Sequence, residues 1–155
     1  MKSVHELLNI YGESHQNATN KFIHWICVPL IMLSLIGLLM CIPFPIDIPY
    51  LNWGTLALFA ALVYYLRLSF QIFAGFVLIA LIIIYVNNFI ISLSPSIGWQ
   101  PWMIFLLIFV LAWIGQFYGH KIEGKKPSFF QDLQFLLIGP AWLLHFVYNK
   151  MGIKY

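Results

Sequence analysis

Four apolar runs follow one another along the chain, and polar or proline-containing breaks separate them. A helix rises about 1.5 Å per residue, so roughly 20 apolar residues cross the hydrocarbon core of a bilayer. The four runs approach or exceed that length. The pattern predicts four transmembrane helices near residues 25–42, 51–66, 71–93 and 101–118.

The breaks between the runs contain residues that end helices. Proline lacks a backbone N–H and glycine adds conformational freedom, so both favour turns. Pro43, Pro45 and Pro49 follow the first run, and the sequence Ser-Pro-Ser-Ile-Gly at residues 94–98 separates the third run from the fourth. We therefore expect a single polytopic membrane domain of the all-α class that covers residues 1–155.

The two ends of the chain differ from its middle. Residues 1–24 form a polar N-terminal segment, whereas residues 133–149 form a last apolar stretch that is short for a span and carries Gly139-Pro140 near its centre. A fifth crossing would place the last two lysines alone on the far side, against the positive-inside tendency. We expect a broken C-terminal segment that re-enters the membrane or lies in its interface.

Composition and charge strengthen the membrane prediction. Hydrophobic residues make up 62% of the chain and charged residues 8%, which is too little charge to cover a water-soluble domain. With four spans, the lysines and arginines of the loops fall on one side, so we expect a cytoplasmic N-terminus. The net charge of +3 is spread along the chain, which favours membrane lipids as partners and disfavours nucleic acid. A bacterial inner membrane is favoured, or the endoplasmic-reticulum membrane in a eukaryote.

Four histidines are predicted to lie in the same cytoplasmic layer. His24 begins the first span, His120 ends the fourth, His15 belongs to the polar N-terminal segment, and His145 follows the Gly-Pro pair. Imidazole suits iron, zinc and copper, so converging histidines predict a metal site. The alternative for each is a histidine that bonds to headgroups or backbone carbonyls and, for His145, a paired structural histidine in an apolar run.

Polar neighbours share helix faces with two of these histidines. Asn20 lies four residues before His24, and Gln116 lies four residues before His120, so each pair shares a face. Glu123 follows three residues after the second histidine. It is expected either to reach the same ion or to orient the imidazole, and the alternative is an exposed helix end.

Two blocks of the sequence resemble a known family. The first block is Tyr11 followed by His15-Gln-Asn-Ala-Thr-Asn20-Lys-Phe-Ile-His24 and Pro29, and the second is Gln116-Phe-Tyr-Gly-His120-Lys-Ile-Glu123 followed by Pro127. Both are similar to the membrane 2-hydroxy fatty acid dioxygenases. That family has a His, an Asn and a second His before its first span, and Gln-Phe-x-Gly-His with Glu and Pro just after it.

The resemblance implies an iron(II)-dependent enzyme that uses dioxygen to shorten a 2-hydroxy fatty acid by one carbon. It implies that His15, His24 and His120 are metal ligands and catalytic residues. Asn20 and Glu123 would lie close to the metal, the carboxylate with a catalytic role. The cofactor expected from the family is Fe(II).

Further residues complete the expected site. The predicted topology makes His145 a candidate fourth ligand. Asn20, Gln116 and Lys121 are expected to contact the substrate, the lysine by attracting its carboxylate.

Two other functions stay open from the residues alone, namely a non-enzymatic lipid-binding or transport protein and a zinc-dependent membrane hydrolase. The absence of a carboxylate or lysine deep in a predicted span disfavours a transporter. For a hydrolase, no general base is evident beyond Glu123, and the His-Glu-x-x-His motif is missing. The sequence also leaves open whether the chain forms a homo-oligomer.

Overall fold

The computed structural model describes residues 4–13, 15–124 and 136–153. This part of the chain is helical and contains no strand, which confirms the all-α prediction. The helices are α1 (Val4–Glu13), α2 (Ala18–Met40), α3 (Trp53–Leu68), α4 (Phe70–Leu93), α5 (Pro101–Glu123) and α6 (Ile138–Met151), with a 3-10 turn (Ser94–Ile97) after α4.

Three of the described helices are long and apolar enough to cross a membrane. They are α2, α4 together with the 3-10 turn that extends it to Ile97, and α5. Helix α3 has 16 residues and is therefore about 24 Å long, which is short of a hydrocarbon core of roughly 30 Å. The prediction of four spanning helices is wrong on this measure. Three apolar helices are compatible with a membrane protein.

Local hydrogen bonds explain why α3 is short. The Asn52 side chain accepts a hydrogen bond from the Thr55 backbone N–H, and the Thr55 hydroxyl accepts one from the Asn52 N–H, both at 3.0 Å. This reciprocal cap begins the helix at Trp53. At the other end Ser69 has an extended backbone, which ends α3 after Leu68 and lets α4 start one residue later.

Gly139-Pro140 begins a helix and does not break one. Helix α6 is continuous from Ile138 to Met151, so the pair lies in its first turn. Proline is tolerated there because a first-turn N–H has no partner within the helix. The expected interruption in the middle of residues 133–149 is therefore wrong, although residues 133–135 lie outside the described part of the chain.

Helix α2 is the centre of the packing, with α5 along one side and α3 along another, while α3 packs on α4 and α1 on α6. Glycines on α5 allow the closest approach. A Cβ added at Gly115 would lie 2.5 Å from Cys27 Sγ, and one at Gly119 would collide with the Asn20 side-chain oxygen. The α2–α5 contact therefore aligns the start of α2 with the end of α5, where the candidate site residues lie.

Candidate metal centre

Three histidines from three segments meet where α2 begins and α5 ends. His24 lies in the second turn of α2, His120 in the last turn of α5, and His15 in the linker that joins α1 to α2. Asn17 fixes the start of α2, because its side chain accepts hydrogen bonds from the backbone N–H groups of Thr19 at 2.8 Å and Asn20 at 3.3 Å. The linker therefore holds His15 next to the two helix ends.

The imidazole rings form a compact and buried group. Each residue contributes one ring nitrogen, and these atoms all lie within 4.8 Å of one another. The ring centroids are 4.3 Å apart for His15 and His24, 5.2 Å for His24 and His120, and 5.6 Å for His15 and His120. The exposed fractions are 3%, 0% and 9% in chain order. Water therefore contributes little to satisfying these polar rings.

The hydrogen bonds of two rings determine which nitrogens carry protons. The Nδ1 of His15 lies 2.7 Å from the Tyr11 carbonyl oxygen, and the Nδ1 of His24 lies 2.9 Å from the Asn20 carbonyl oxygen. A carbonyl only accepts, so each Nδ1 donates its hydrogen. In the neutral rings both Nε2 atoms then carry lone pairs, and these two atoms face each other at 2.9 Å.

Two lone pairs at this distance repel each other unless a cation lies between or beside them. A proton between the two nitrogens would remove the repulsion, but burying the resulting charged imidazolium this deeply costs free energy. A metal ion satisfies both nitrogens, and backbone acceptors on the remote nitrogens are the usual way in which proteins orient histidine ligands. The donor set of His15, His24 and His120 therefore fits a metal that accepts imidazole, a class that includes iron, zinc and copper.

Glu123 lies outside the group of converging ring nitrogens and binds the linker that carries His15. Its carboxylate accepts hydrogen bonds from the backbone N–H of Gln16 at 2.7 Å and of Asn17 at 3.1 Å, and from the Asn20 side-chain N–H at 2.8 Å. These charge-assisted bonds join the end of α5 to the linker and to α2. Of the two roles expected from the sequence, the geometry favours orientation over ligation.

Replacing Glu123 by glutamine is expected to weaken metal binding about 10- to 100-fold, the usual effect of losing a group that orients the ligands. The amide keeps the size of the side chain but carries no charge, and its NH₂ faces N–H donors. The linker that carries His15 is then held less firmly. Metal affinity is measured by competition with a coloured chelator. Asp47→Asn, at an exposed carboxylate between α2 and α3, is the matched control, and wild-type affinity in Glu123→Gln contradicts the assigned role.

The structure does not bring His145 into the group. The Nε2 of His145 lies 2.9 Å from the Asn149 side-chain nitrogen, four residues further along α6. Gly139 and Pro140, in the first turn of α6, line the cavity beside Tyr11, whereas His145 lies more than one turn further along the helix. The metal group found among the described residues contains the other three histidines. The described geometry therefore gives no support to His145 as a fourth ligand.

The structure separates the three residues that are expected from the sequence to contact the substrate. Asn20 is fully buried and bonds to Glu123, and Lys121 is exposed on α5. Neither is part of the wall of the cavity described below, whereas Gln116 is. The side-chain oxygens of Asn20 and Gln116 are buried without a hydrogen-bond partner among the described residues.

Two aromatic residues support His15, and neither of them is among the site residues predicted from the sequence. The Tyr11 ring stacks on the His15 ring with centroids 4.2 Å apart, and the Trp142 ring lies 5.4 Å from it. Tyr11 precedes His15 by four residues, the spacing of neighbours on a helix face, which was the available signal. Trp142 approaches from α6, a contact between distant segments that no local pattern indicates.

An apolar cavity begins at this site and extends between the helices. Its volume is about 220 Å³. Tyr11, Gln116, His120 and Pro140 line it near the histidines, and apolar residues, most of them aliphatic side chains of α2, α3 and α4, line the remainder. The metal group therefore lies at one end of an apolar chamber.

The wall of this cavity is mostly apolar, and apolar cavities in proteins bind apolar molecules. The cavity is therefore best explained as a binding site for an apolar ligand.

The fold and the site together define a helical protein with a candidate three-histidine metal centre at the end of an apolar cavity. The chain belongs to the 2-hydroxy-palmitic acid dioxygenase Mpo1-like family, whose model matches residues 1–151. The family predicted from the two sequence blocks is thereby confirmed. No curated protein and no solved structure matches the chain.

Proposed function

We propose that this protein is an iron(II)-dependent dioxygenase that shortens 2-hydroxy fatty acids by one carbon. The observation that carries the proposal is the buried group of His15, His24 and His120 at the end of an apolar cavity. The cavity suits a hydrocarbon tail, and the histidines suit a metal that binds the polar head. The name of the family supplies the reaction type and the substrate class.

Among the metals that imidazole suits, iron and copper support oxygen chemistry, and the family resemblance favours iron. Zinc has no redox chemistry, so it cannot support a reaction with dioxygen. Three protein ligands leave coordination positions open. A bound iron(II) would supply the site at which the hydroxyl and carboxylate of the substrate meet dioxygen.

The proposed reaction balances with dioxygen as the only oxidant. The bond between C1 and C2 breaks, C1 leaves as carbon dioxide, and C2 becomes the carboxyl carbon of the shortened acid. The two carbons together lose four electrons, which reduce one dioxygen molecule, and one water is formed. The reaction requires no external reductant.

The chain's own residues hold and enclose the reactants. The carbonyls of Tyr11 and Asn20 keep the Nδ1 protons in place, so the Nε2 atoms of His15 and His24 stay available as ligands. The apolar walls exclude water and take up the tail. Holding the tail places C1 and C2 beside the histidines, and this proximity raises the reaction rate.

Gln116 is the residue that we assign to the polar head of the substrate. It lies one turn before His120, lines the cavity, and has a buried side-chain oxygen without a partner among the described residues. A buried polar group of this kind costs about 1–3 kcal/mol. A small rotation of the amide would allow it to bond to the hydroxyl or carboxylate of the substrate.

We also propose that the protein spans a membrane and takes its substrate from the lipid. The support is the set of three apolar helices and the many apolar side chains on the outer surface. Fatty acids partition into a leaflet with the carboxylate at the polar interface, so a site at the helix ends can receive both parts. The Asn20–Glu123 hydrogen bond holds the start of α2 and the end of α5 at one face, so Lys21 and Lys121 lie there with the N-terminal segment, and we propose that this face is cytoplasmic. The proposed membrane is a bacterial inner membrane, or the endoplasmic reticulum in a eukaryote.

Product analysis tests this proposal. Purified protein loaded with iron(II) is given 2-hydroxyhexadecanoate under labelled dioxygen, and the products are identified by mass spectrometry. We expect pentadecanoate that carries oxygen label, whereas hexadecanoate and 3-hydroxyhexadecanoate stay unchanged because neither can chelate the metal through a 2-hydroxyl. Recovery of unchanged 2-hydroxyhexadecanoate from iron-loaded protein would contradict the proposed reaction.

A further inference from the structure

The cavity follows a stripe of side chains along α2. Val28, Met32 and Leu39 mark its course, and they recur at the three- and four-residue spacing of one helix face with Ile31, Leu35 and Ile36. The eleven helical steps from Val28 to Leu39 span about 16 Å. One leaflet of a bilayer has a similar depth, about half of a hydrocarbon core of roughly 30 Å. The cavity therefore has the length of a lipid tail.

The part of the cavity farthest from the histidines is narrowed by a small cluster. Ala80 and Ile83 of α4 pack there with Ile36 of α2 and Leu58 of α3, all of them buried. Ile36 is two helical turns beyond Val28, so this cluster lies deep in the chamber. Because Ala80 presents only a methyl group, it leaves space that a larger side chain would fill.

The deep end of the cavity shares two of its lining residues with an outer cleft. Leu39 and Ala57 line both the cavity and the cleft, which is otherwise formed by Ile42, Trp53 and Leu56. Leu39 has the larger of the two shared side chains. Removing most of it would join the two spaces.

We propose that this deep end sets the acyl chain length that the protein accepts, with Ala80 admitting the last carbons and Leu39 stopping the methyl end. The inference rests on the proposed function for the identity of the ligand as a fatty acid. It adds the residues that select among such acids. The histidines determine the position of the head, so the distance to the stop determines how many carbons fit.

Ala80→Leu tests the space at the deep end. Each methylene excluded from an apolar site weakens binding about fourfold, so we expect hexadecanoate to bind at least tenfold more weakly while dodecanoate binds as in the wild type. Binding is measured by displacement of a fluorescent polyene fatty acid from purified protein in detergent. Ala60→Leu, on the exposed face of α3 and outside the cavity wall, is the matched control and leaves both affinities unchanged.

Leu39→Ala tests the stop and gives a second measurement if Ala80→Leu fails to fold. We expect eicosanoate to bind several-fold more tightly to Leu39→Ala than to the wild type, because its methyl end can enter the outer cleft. Leu38→Ala, at the adjacent residue that lines neither space, has no such effect. Unchanged chain-length profiles in the folded variants overturn the proposal.

The binding measurement separates this inference from the proposed reaction. Displacement is measured on iron-loaded protein and needs no turnover, so the chain-length shift is visible even if no 2-hydroxy acid is consumed. A shift without turnover supports the inference and contradicts the proposed function. If the wild type turns over substrate but Ala80→Leu and Leu39→Ala bind acids with the same chain-length profile as the wild type, the inference is contradicted and the proposed function is not.

Discussion

Replacing His24 by alanine is expected to abolish detectable turnover of 2-hydroxyhexadecanoate and to lower metal affinity by at least about 100-fold. The loss of a group that only orients a ligand costs 10- to 100-fold, and a ligand contributes more. His24 is fully buried and its Nε2 faces that of His15 at 2.9 Å, so this substitution removes one donor from the middle of the group. Oxygen consumption and bound metal are measured on the same preparation.

His145→Ala is the matched control for this experiment. The structure places His145 beside Asn149 and outside the metal group, so this variant keeps oxygen consumption and metal content within about twofold of the wild type. His120→Ala serves as a second ligand variant if His24→Ala does not fold. Normal turnover by a folded His24 or His120 variant would show that these histidines hold no catalytic metal.

Metal removal is expected to have an equally large effect. Treatment with a strong chelator should reduce oxygen consumption to the background rate, and addition of iron(II) should restore it. Zinc should bind in competition with iron, because the imidazole donors suit both, but it should restore no oxygen consumption since it has no redox chemistry. The rate is followed with an oxygen electrode after each addition.

Two outcomes of the chelation experiment would contradict the proposed iron-dependent reaction. Oxygen consumption that survives complete metal removal contradicts a metal-dependent reaction. Hydrolytic activity restored by zinc, with no oxygen uptake in any form of the protein, identifies the alternative zinc hydrolase. A buffer control with free iron(II) and substrate corrects for oxidation in solution.

The helices were largely predictable from the sequence because long apolar runs and their breaks are local features. The predicted start of the second span at residue 51 misses that of α3 by two residues, since the cap formed by Asn52 and Thr55 begins the helix at Trp53. The role of Gly139-Pro140 was misjudged. Whether proline lies in the first turn or the interior of a helix depends on where the helix starts, which composition does not state.

The three histidines could be grouped from the sequence because four consecutive apolar helices return the chain to the side on which it started, and α3 reverses the chain although it is short for a span. His145 could not be excluded in the same way. Its distance from the group depends on how α6 packs against α1 and α2, and these contacts join residues far apart in the chain. The same is true of Glu123, whose bonds to Gln16 and Asn17 connect α5 with the linker before α2.

The cavity is the feature that the sequence indicated least. Its lining residues come from all six helices and most of them are aliphatic, so the same residues would serve equally well as a filled core. Space arises only from the sizes of facing side chains, such as Ala57 and Ala80, once the helices are assembled. A pattern of hydrophobic positions predicts which face is buried and does not predict whether that face is completely packed.

Elemental analysis of the purified protein, wild type beside His120→Ala, tests the central claim most directly. The three-histidine site predicts that wild-type protein carries iron in near-stoichiometric amount and that His120→Ala carries little or none. Both preparations are made under reducing conditions, with helical content checked by circular dichroism. Wild-type protein that contains no iron after iron supplementation, or equal iron in both proteins, would contradict the assignment of His15, His24 and His120 as the metal centre.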